Sequence, residues 1–411
     1  MNQLILFAIC GLVSCFDYKN DKIRGVNLGG WLVLEPWITP SLFNPFKGKP
    51  EGEIAVDEYT FTQVLKERAK PILESHWNSF VTAEDFKVLK DAGINHVRIP
   101  VGYWAFGKTP DEPFVDGSYN HLLRGIQLAK QFGLKVLVDI HGTPLSQNGF
   151  DNSGRAGPAK FLTDGASGPR MLEVLKKCAQ LFARAEYKDT VTALQLVNEP
   201  ANWLLNMDML KQFYEDGYNV IRAHNKDIMV TFHDAFWSVD KWEYLASKPK
   251  AMLDTHYYNV FDEYLVKMNH QQHLNHSCGL SGKLEKSKSL MPTFVGEWSL
   301  ASTDCTLYLN GFMKGSRVAG NFKNHDSPRL PANYDFSNDK CAQYDNVGKF
   351  PGGQREFLKA FFERQISVYE NAGSGWFFWN FKAENSPEWN FIMGVKEGWI
   401  KIPGQTTNPC R

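Results

Sequence analysis

The sequence predicts an α/β fold, a (β/α)8 TIM barrel with long loops at the C-terminal face, from three observations. Eight short apolar runs, at 23–28, 95–100, 135–140, 191–197, 228–232, 251–254, 292–295 and 375–379, each end in polar or aromatic residues. Amphipathic stretches at 83–92, 120–132, 169–186, 207–224 and 354–372 lie between them, so strand and helix alternate. No Gly-x-Gly-x-x-Gly follows any run. The alternative, an open doubly wound sheet, is therefore left without its dinucleotide-binding signature.

Taken in order, residues 4–13 are almost entirely apolar and charge begins at Asp17. That run is too short to span a bilayer comfortably but suits the apolar region of a secretory signal, despite the absence of Lys or Arg before it. Residues 1–15 are expected to be a signal peptide cleaved after Cys15, and 16–411 one catalytic domain. No other stretch is apolar enough to span a membrane, and no lipid-anchor tail is present. Residues 38–77 form a long insertion after the first strand, with mixed helix and loop character. The helix at 83–92 has a start signal, Thr82 followed by Asp85 three residues on. Apolar positions 171, 172, 175, 178, 179 and 182 mark one helix face and make Cys178 a buried thiol. Residues 299–350 are polar, rich in Gly and Asn, and bracketed by Cys305 and Cys341.

The 45 basic and 45 acidic residues balance, which argues against a nucleic-acid or anionic-membrane partner. The 12 tryptophans are compatible with a large aromatic core or with a sugar site, and composition does not choose. Beyond Cys10 and Cys15, four of the five remaining cysteines, Cys278, Cys305, Cys341 and Cys410, fall late in the chain. Such clustering is expected of disulfides in an oxidising compartment. Asn275-His276-Ser277 is the glycosylation sequon, in a polar segment.

Chemistry is expected where the apolar runs end, because barrels of this kind carry their sites at the C-terminal mouth. Asn198-Glu199-Pro200 closes the fourth run and Gly296-Glu297-Trp298 the seventh. Two carboxylates so placed are what glycoside hydrolysis needs, one protonated to serve the leaving oxygen and one ionised to attack. Glu35, Arg98, His141, His256, Tyr258 and Trp379 end or follow other strands. Each has an ordinary structural reading, as ion-pair partner or core side chain; as a set they suit a sugar. His270, His273, His276 and Cys278 match no standard zinc spacing, and no Gly-x-Ser-x-Gly is present. No metal and no cofactor are expected.

Arg98-Ile99-Pro100, His141-Gly142, the string from Gln195 to Pro200, His256-Tyr257-Tyr258 and Gly296-Glu297-Trp298 resemble glycoside hydrolase family 5. The strings at 25–31, 34–36, 146–154 and 304–311 resemble its fungal exo-β-1,3-glucanase branch, from about residue 22 to the end. The resemblance implies Glu199 as acid/base and Glu297 as nucleophile of a retaining double displacement, with Glu199 held protonated by the nearby charge of Glu297. It implies Arg98 and Tyr258 holding Glu297, Asn198 at the sugar 2-hydroxyl, His141, His256 and Glu35 on other hydroxyls, and Trp379 beneath the ring. It also implies Phe150 and Phe261 clamping a sugar at the entrance, and pairs Cys278–Cys410 and Cys305–Cys341. Leu145 departs from the pattern, standing where many relatives have Gly.

The expectation is a secreted monomer that takes glucose from non-reducing ends of a β-1,3-glucan. Transfer of the glucosyl group, action on β-1,6-glucan or a β-glucoside, and a silent carbohydrate-binding wall protein are the alternatives.

Overall fold

The computed structural model describes residues 16–324, 327–404 and 410. The expected signal peptide and its cleavage after Cys15 lie outside the described residues. Eight parallel strands close into a barrel in sequence order: β1 Ile23–Asn27, β2 His96–Gly102, β3 Lys135–Gly142, β4 Val191–Gln195, β5 Met229–His233, β6 Ala251–His256, β7 Thr293–Glu297 and β8 Gly375–Phe378. Each coincides with one predicted run. The differences are of one or two residues and largest at the mouth, where β4 stops two residues early and β2, β3, β6 and β7 run two residues longer.

The helices are α1 Pro40–Phe43, α2 Glu58–Leu65, α3 Ala69–Phe80, α4 Ala83–Asp91, α5 Ser118–Gln131, α6 Ser167–Phe182, α7 Met207–His224, α8 His270–Cys278, α9 Ser281–Leu290, α10 Gln354–Asn371 and α11 Phe391–Glu397. α4 begins with the expected reciprocal cap: Asp85 N–H donates to Thr82 Oγ1 at 3.3 Å, and Thr82 N–H to Asp85 Oδ2 at 2.8 Å. α8 and α9 carry only a weak apolar stripe, which is why periodicity does not single them out. Among the described residues no helix is long and apolar enough to cross a membrane.

Alternation along the strands divides the barrel interior into layers. Ile23, Leu137, Ala193, Met252, Phe294 and Phe377 form an apolar cluster at the N-terminal end. Two or four residues further along, the interior becomes polar, with Asn27, Arg98, Asp139, His141, Gln195, Asp254 and His256, all but His256 fully buried. Gly296 is required by this filling, since a Cβ there would lie 2.0 Å from Asp254 Oδ1.

The insertion after β1 holds α1 to α3 and touches the long loop after β7. Tyr308 donates to Asn44 Oδ1 at 2.8 Å, and Arg329 pairs with Glu51 at 2.7 Å. That loop has little regular structure and is organised by Asp304. This buried carboxylate accepts from Arg317 N and Val318 N and from the side chains of Arg317 and Asn310. Disulfides join Cys305–Cys341 and Cys278–Cys410, and Cys178 is a buried free thiol.

Candidate active site

Arg98 is the centre of the mouth. From β2 its guanidinium reaches Asn27 Oδ1 at 2.9 Å, Gln195 Oε1 at 3.1 Å, Asn198 Oδ1 at 2.7 Å and Glu297 Oε1 at 2.9 Å. It also lies 3.1 Å from Asp139 Oδ2 and 3.8 Å from Asp254 Oδ2. Burial alone would discourage its charge, but the carboxylates of Asp139, Glu297 and Asp254 hold it charged. One side chain thus fixes groups from five other strands or their ends.

Glu297, the last residue of β7, is gripped from two directions. Arg98 binds Oε1, and the Tyr258 hydroxyl donates to Oε2 at 2.9 Å. Burial raises the Glu297 carboxyl somewhat above the ordinary glutamate range, while His256 and Arg98 pull it back toward ionisation. Glu199 stands just past β4 with φ at +46°, a conformation rarely adopted outside glycine. Its Oε2 accepts from Asn152 at 3.0 Å and its Oε1 from His256 Nδ1 at 2.7 Å.

His256 departs from the expected arrangement. Instead of standing free for a sugar hydroxyl, it lies between the carboxylates, with Nδ1 also 3.4 Å from Glu297 Oε2. Its Nε2 is 3.3 Å from Asp254 Oδ2, so both ring nitrogens face acceptors. Burial opposes charge on the ring, but Glu297, Asp254 and Glu199 outweigh it and raise His256 well above an ordinary histidine. The same contact alters the expected state of Glu199. Burial would push its carboxyl up, but the hydrogen bond and charge of His256 prevail and draw it below the usual range. Both shifts favour the proton on the His256 side of its hydrogen bond to Glu199.

The remaining predicted residues line the same mouth. His141 donates from Nδ1 to Asp139 Oδ2 at 2.5 Å and its ring stacks on Trp379, 9° from parallel with centroids 5.5 Å apart. Asn198 has its amide nitrogen 3.5 Å from His141 Nε2. Glu35 accepts from Trp37 Nε1 at 2.9 Å, while its Oε1 is buried with no protein partner. Burial, then Asp151 and Glu297, raise Glu35 well above the ordinary carboxylate range. Phe150 and Phe261 are 39% and 46% exposed at the rim, and Phe261 packs on Tyr258 and Trp389. Asn275 is exposed on α8.

Several residues of the site escaped the sequence reading. Asp139 and Asp254 orient His141 and His256 from two positions earlier on the same strands. Asn152 touches Glu199, and Asp151 beside it has a buried, unpartnered Oδ2, its carboxyl pushed up to about 7 by burial and then by Asp57. The period-two spacing in β3 and β6 was the signal for the first pair; the others sit in an irregular turn.

Glu199, His233 and His256 lie close enough together to suggest a metal-ligand set. However, His233 Nδ1 accepts from Ala235 N–H at 2.9 Å, which leaves its Nε2 protonated. With both nitrogens of His256 committed to carboxylates, the cluster offers a metal no imidazole lone pair. Elsewhere, Cys278 is in a disulfide and His270 stacks on Phe357 at 4.0 Å.

The family model described as cellulase, glycosyl hydrolase family 5, matches residues 65–315. A glucan 1,3-beta-glucosidase of Blumeria graminis is 40% identical over 96% of this chain and 92% of that protein. One of Candida oleophila is 40% identical over 96% and 93%. Among solved structures, the rutinosidase from Aspergillus niger superposes with a TM-score of 0.72 over 94% of this chain and all of that one. Its sequence identity is 19%, so the likeness is one of fold.

Proposed function

Because the chain belongs to glycosyl hydrolase family 5 and is a glycosidase, we propose that it is a secreted, retaining exo-β-1,3-glucanase. Glu297 is its nucleophile and Glu199 its acid/base. The observation that carries this reading is the shared imidazole. Glu199 and Glu297 approach His256 Nδ1 at 2.7 and 3.4 Å. Their nearer oxygens are thus separated by no more than the sum of those distances. That bound is compatible with the roughly 5–5.5 Å of a retaining pair.

In the first step Glu297 Oε attacks the anomeric carbon while the proton shared by His256 Nδ1 and Glu199 passes through the Glu199 carboxyl to the glycosidic oxygen. The bond to the leaving sugar breaks as the glucosyl–Glu297 ester forms. Water, deprotonated by Glu199, then releases glucose with net retention. Arg98 and Tyr258 aim the nucleophile and stabilise its charge, and Asn198 meets the 2-hydroxyl. Glu35 and Asp151, whose buried oxygens lack protein partners, bind hydroxyls of the terminal glucose together with His141, over Trp379.

Exo action is supported by the insertion after β1 and the loop after β7. Both follow strands at the mouth and pack on one another through Tyr308–Asn44 and Arg329–Glu51, and this reading makes them one wall of it, with Phe150 and Phe261 at the entrance. The relatives named as glucan 1,3-beta-glucosidases supply the β-1,3 preference. Residues 1–15 are proposed as the signal peptide and 16–411 as one catalytic domain acting as a monomer. Secretion agrees with the two disulfides and the exposed sequon. Laminarin digestion should yield glucose from the first minutes with little early fall in polymer size. Early mixed oligosaccharides with rapid loss of viscosity would exclude exo action.

A further inference from the structure

Glu58, the first residue of α2, is fully buried and takes no part in the chemistry above. A carboxyl group so placed needs partners, and both that it has are N–H donors. Leu34 N–H donates to Oε2 at 3.0 Å and Trp104 Nε1 to Oε1 at 3.0 Å. Burial pushes the carboxyl up to about 8, while both bonds favour the ionised form. A carboxyl accepts at both oxygens in either state, whereas an amide in its place accepts at one only.

Each partner leads to residues of the proposed glucose pocket. Leu34 directly precedes Glu35. The Trp104 ring, in the turn after β2, stacks on Phe114 with centroids 3.9 Å apart and planes 1° from parallel. It also lies against bare backbone, where a Cβ at Gly142 or at Gly154 would collide with it. Gly142 follows His141, and Gly154 closes the short turn that carries Asp151 and Asn152. The start of α2 grips the same loop further along. Tyr59 N–H donates to Gly154 O at 2.8 Å, and Ala156 N–H to Asp57 Oδ2 at 2.6 Å. The Arg155 guanidinium lies over the Tyr59 ring at 4.3 Å.

We propose that Glu58 is a positioning residue for the terminal glucose. It holds Glu35, just past β1, at a fixed spacing from His141 and Asp151, at and beyond the end of β3. The inference rests on the reading of those three as hydroxyl-binding groups. Glu35 and Asp151 each meet the sugar through one buried oxygen that lacks a protein partner. A shift between the two segments therefore weakens the hold on several hydroxyls together. The segments are remote in sequence, and Glu58 with Trp104 joins them. In Glu58→Gln the new NH2 must oppose either the Leu34 N–H or the Trp104 N–H, so the join is disturbed with little change of volume.

The test measures kcat/KM on an aryl β-glucoside and on its 3-, 4- and 6-deoxy analogues, for wild type, Glu58→Gln, Trp104→Phe and the double variant, with thermal unfolding of each. The ratio of parent to deoxy substrate reads the grip on each hydroxyl. Glu58→Gln should lose about three- to tenfold more on the parent than on the analogues that wild type disfavours, so the ratio shrinks. Trp104→Phe, which keeps a ring and removes the N–H, should shrink it in the same direction. In that background the glutamine NH2 can face a ring instead of an N–H, so adding Glu58→Gln should cost less than it does alone. Uniform loss on all four substrates is what a merely structural carboxyl gives, and it overturns the inference. Ratios retained in Glu58→Gln overturn it as well, and where Glu58→Gln does not fold, Trp104→Phe decides by the same measure. An equal cost of Glu58→Gln in both backgrounds overturns the join through Trp104. A wild-type enzyme that hydrolyses the parent and every deoxy analogue alike overturns the reading of Glu35, His141 and Asp151 and this inference with it.

Discussion

A buried histidine at each end of the barrel, His96 at the N-terminal end and His256 at the mouth, meets partners of different kinds. At the N-terminal end, His96 Nδ1 donates to Asn95 Oδ1 at 2.7 Å and its Nε2 accepts from the Tyr18 hydroxyl at 3.0 Å. One nitrogen meets an acceptor and the other a donor, so the ring is neutral, and burial, followed by Lys135, lowers it to about 3. At the mouth, both nitrogens of His256 meet carboxylate oxygens, which raise the ring well above an ordinary histidine and favour its charged form. Both side chains are buried. What decides the protonation state is the donor or acceptor character of the partners, and only the mouth is built to hold a mobile proton.

The difference extends to the surroundings. The N-terminal end pairs its polar groups with neighbours and fills the rest with Leu137, Met252, Phe294 and Phe377. The mouth leaves oxygens of Glu35, Asp139, Asp151 and Asp254 buried without protein partners. Unpaired buried oxygens cost stability, so their concentration at one end marks it as the end that meets a ligand.

The most damaging change to the mouth is Glu297→Gln. It should lower turnover by about 10^4-fold on laminarin and on aryl glucosides alike, with the thermal unfolding midpoint preserved. Near wild-type hydrolysis would exclude Glu297 as nucleophile. Glu199→Gln should cost about 10^2- to 10^4-fold on laminarin but much less on an aryl glucoside whose leaving group needs no proton.

The charge on His256 is tested through the pH profile of kcat/KM. The acid limb requires Glu297 to ionise and should lie above the ordinary glutamate value of 4.5. The basic limb reports loss of the proton shared by His256 and Glu199 and should lie above 6.5. Because His256→Gln leaves Glu199 to hold that proton alone, the basic limb should move to lower pH. A limb that stays in place would mean that the proton is not stored on the imidazole.

Changes away from the chemistry should act on stability instead. Removing the Cys305–Cys341 bridge by paired Ser substitutions should cost about 2–4 kcal/mol in chemical denaturation and loosen the loop beside the insertion. Tyr18→Phe at the opposite end takes the donor from His96 Nε2 and should cost about 1–2 kcal/mol, with kcat/KM unchanged. A large loss of activity in Tyr18→Phe would erase the distinction between the ends. Leu145→Gly is the mildest test. Leu145 has φ of +67°, so relief of backbone strain competes with the added freedom of glycine in the unfolded chain, and the change should stay within about 1 kcal/mol.

The barrel was legible in the sequence because strand and helix periods are local. Eight apolar runs gave eight strands, and Thr82 with Asp85 gave the start of α4. α8 and α9 were not legible, being too polar to show a stripe. Glu199, Glu297, Arg98 and Tyr258 stood out because a barrel strand's end is a position in the sequence. Asp151 and Asn152 did not, because the turn that aims them has no period.

The amino-acid order alone thus determined the closed barrel, the end at which its polar residues gather and the two carboxylates that face one another there. Which groups share a proton was decided only by tertiary structure. His256 and Glu199 are 57 residues apart, and their contact is made by the closing of β4 through β7 into one ring. The charge of a buried group depends on distances of a few ångströms between strands, and a linear pattern carries no such distances.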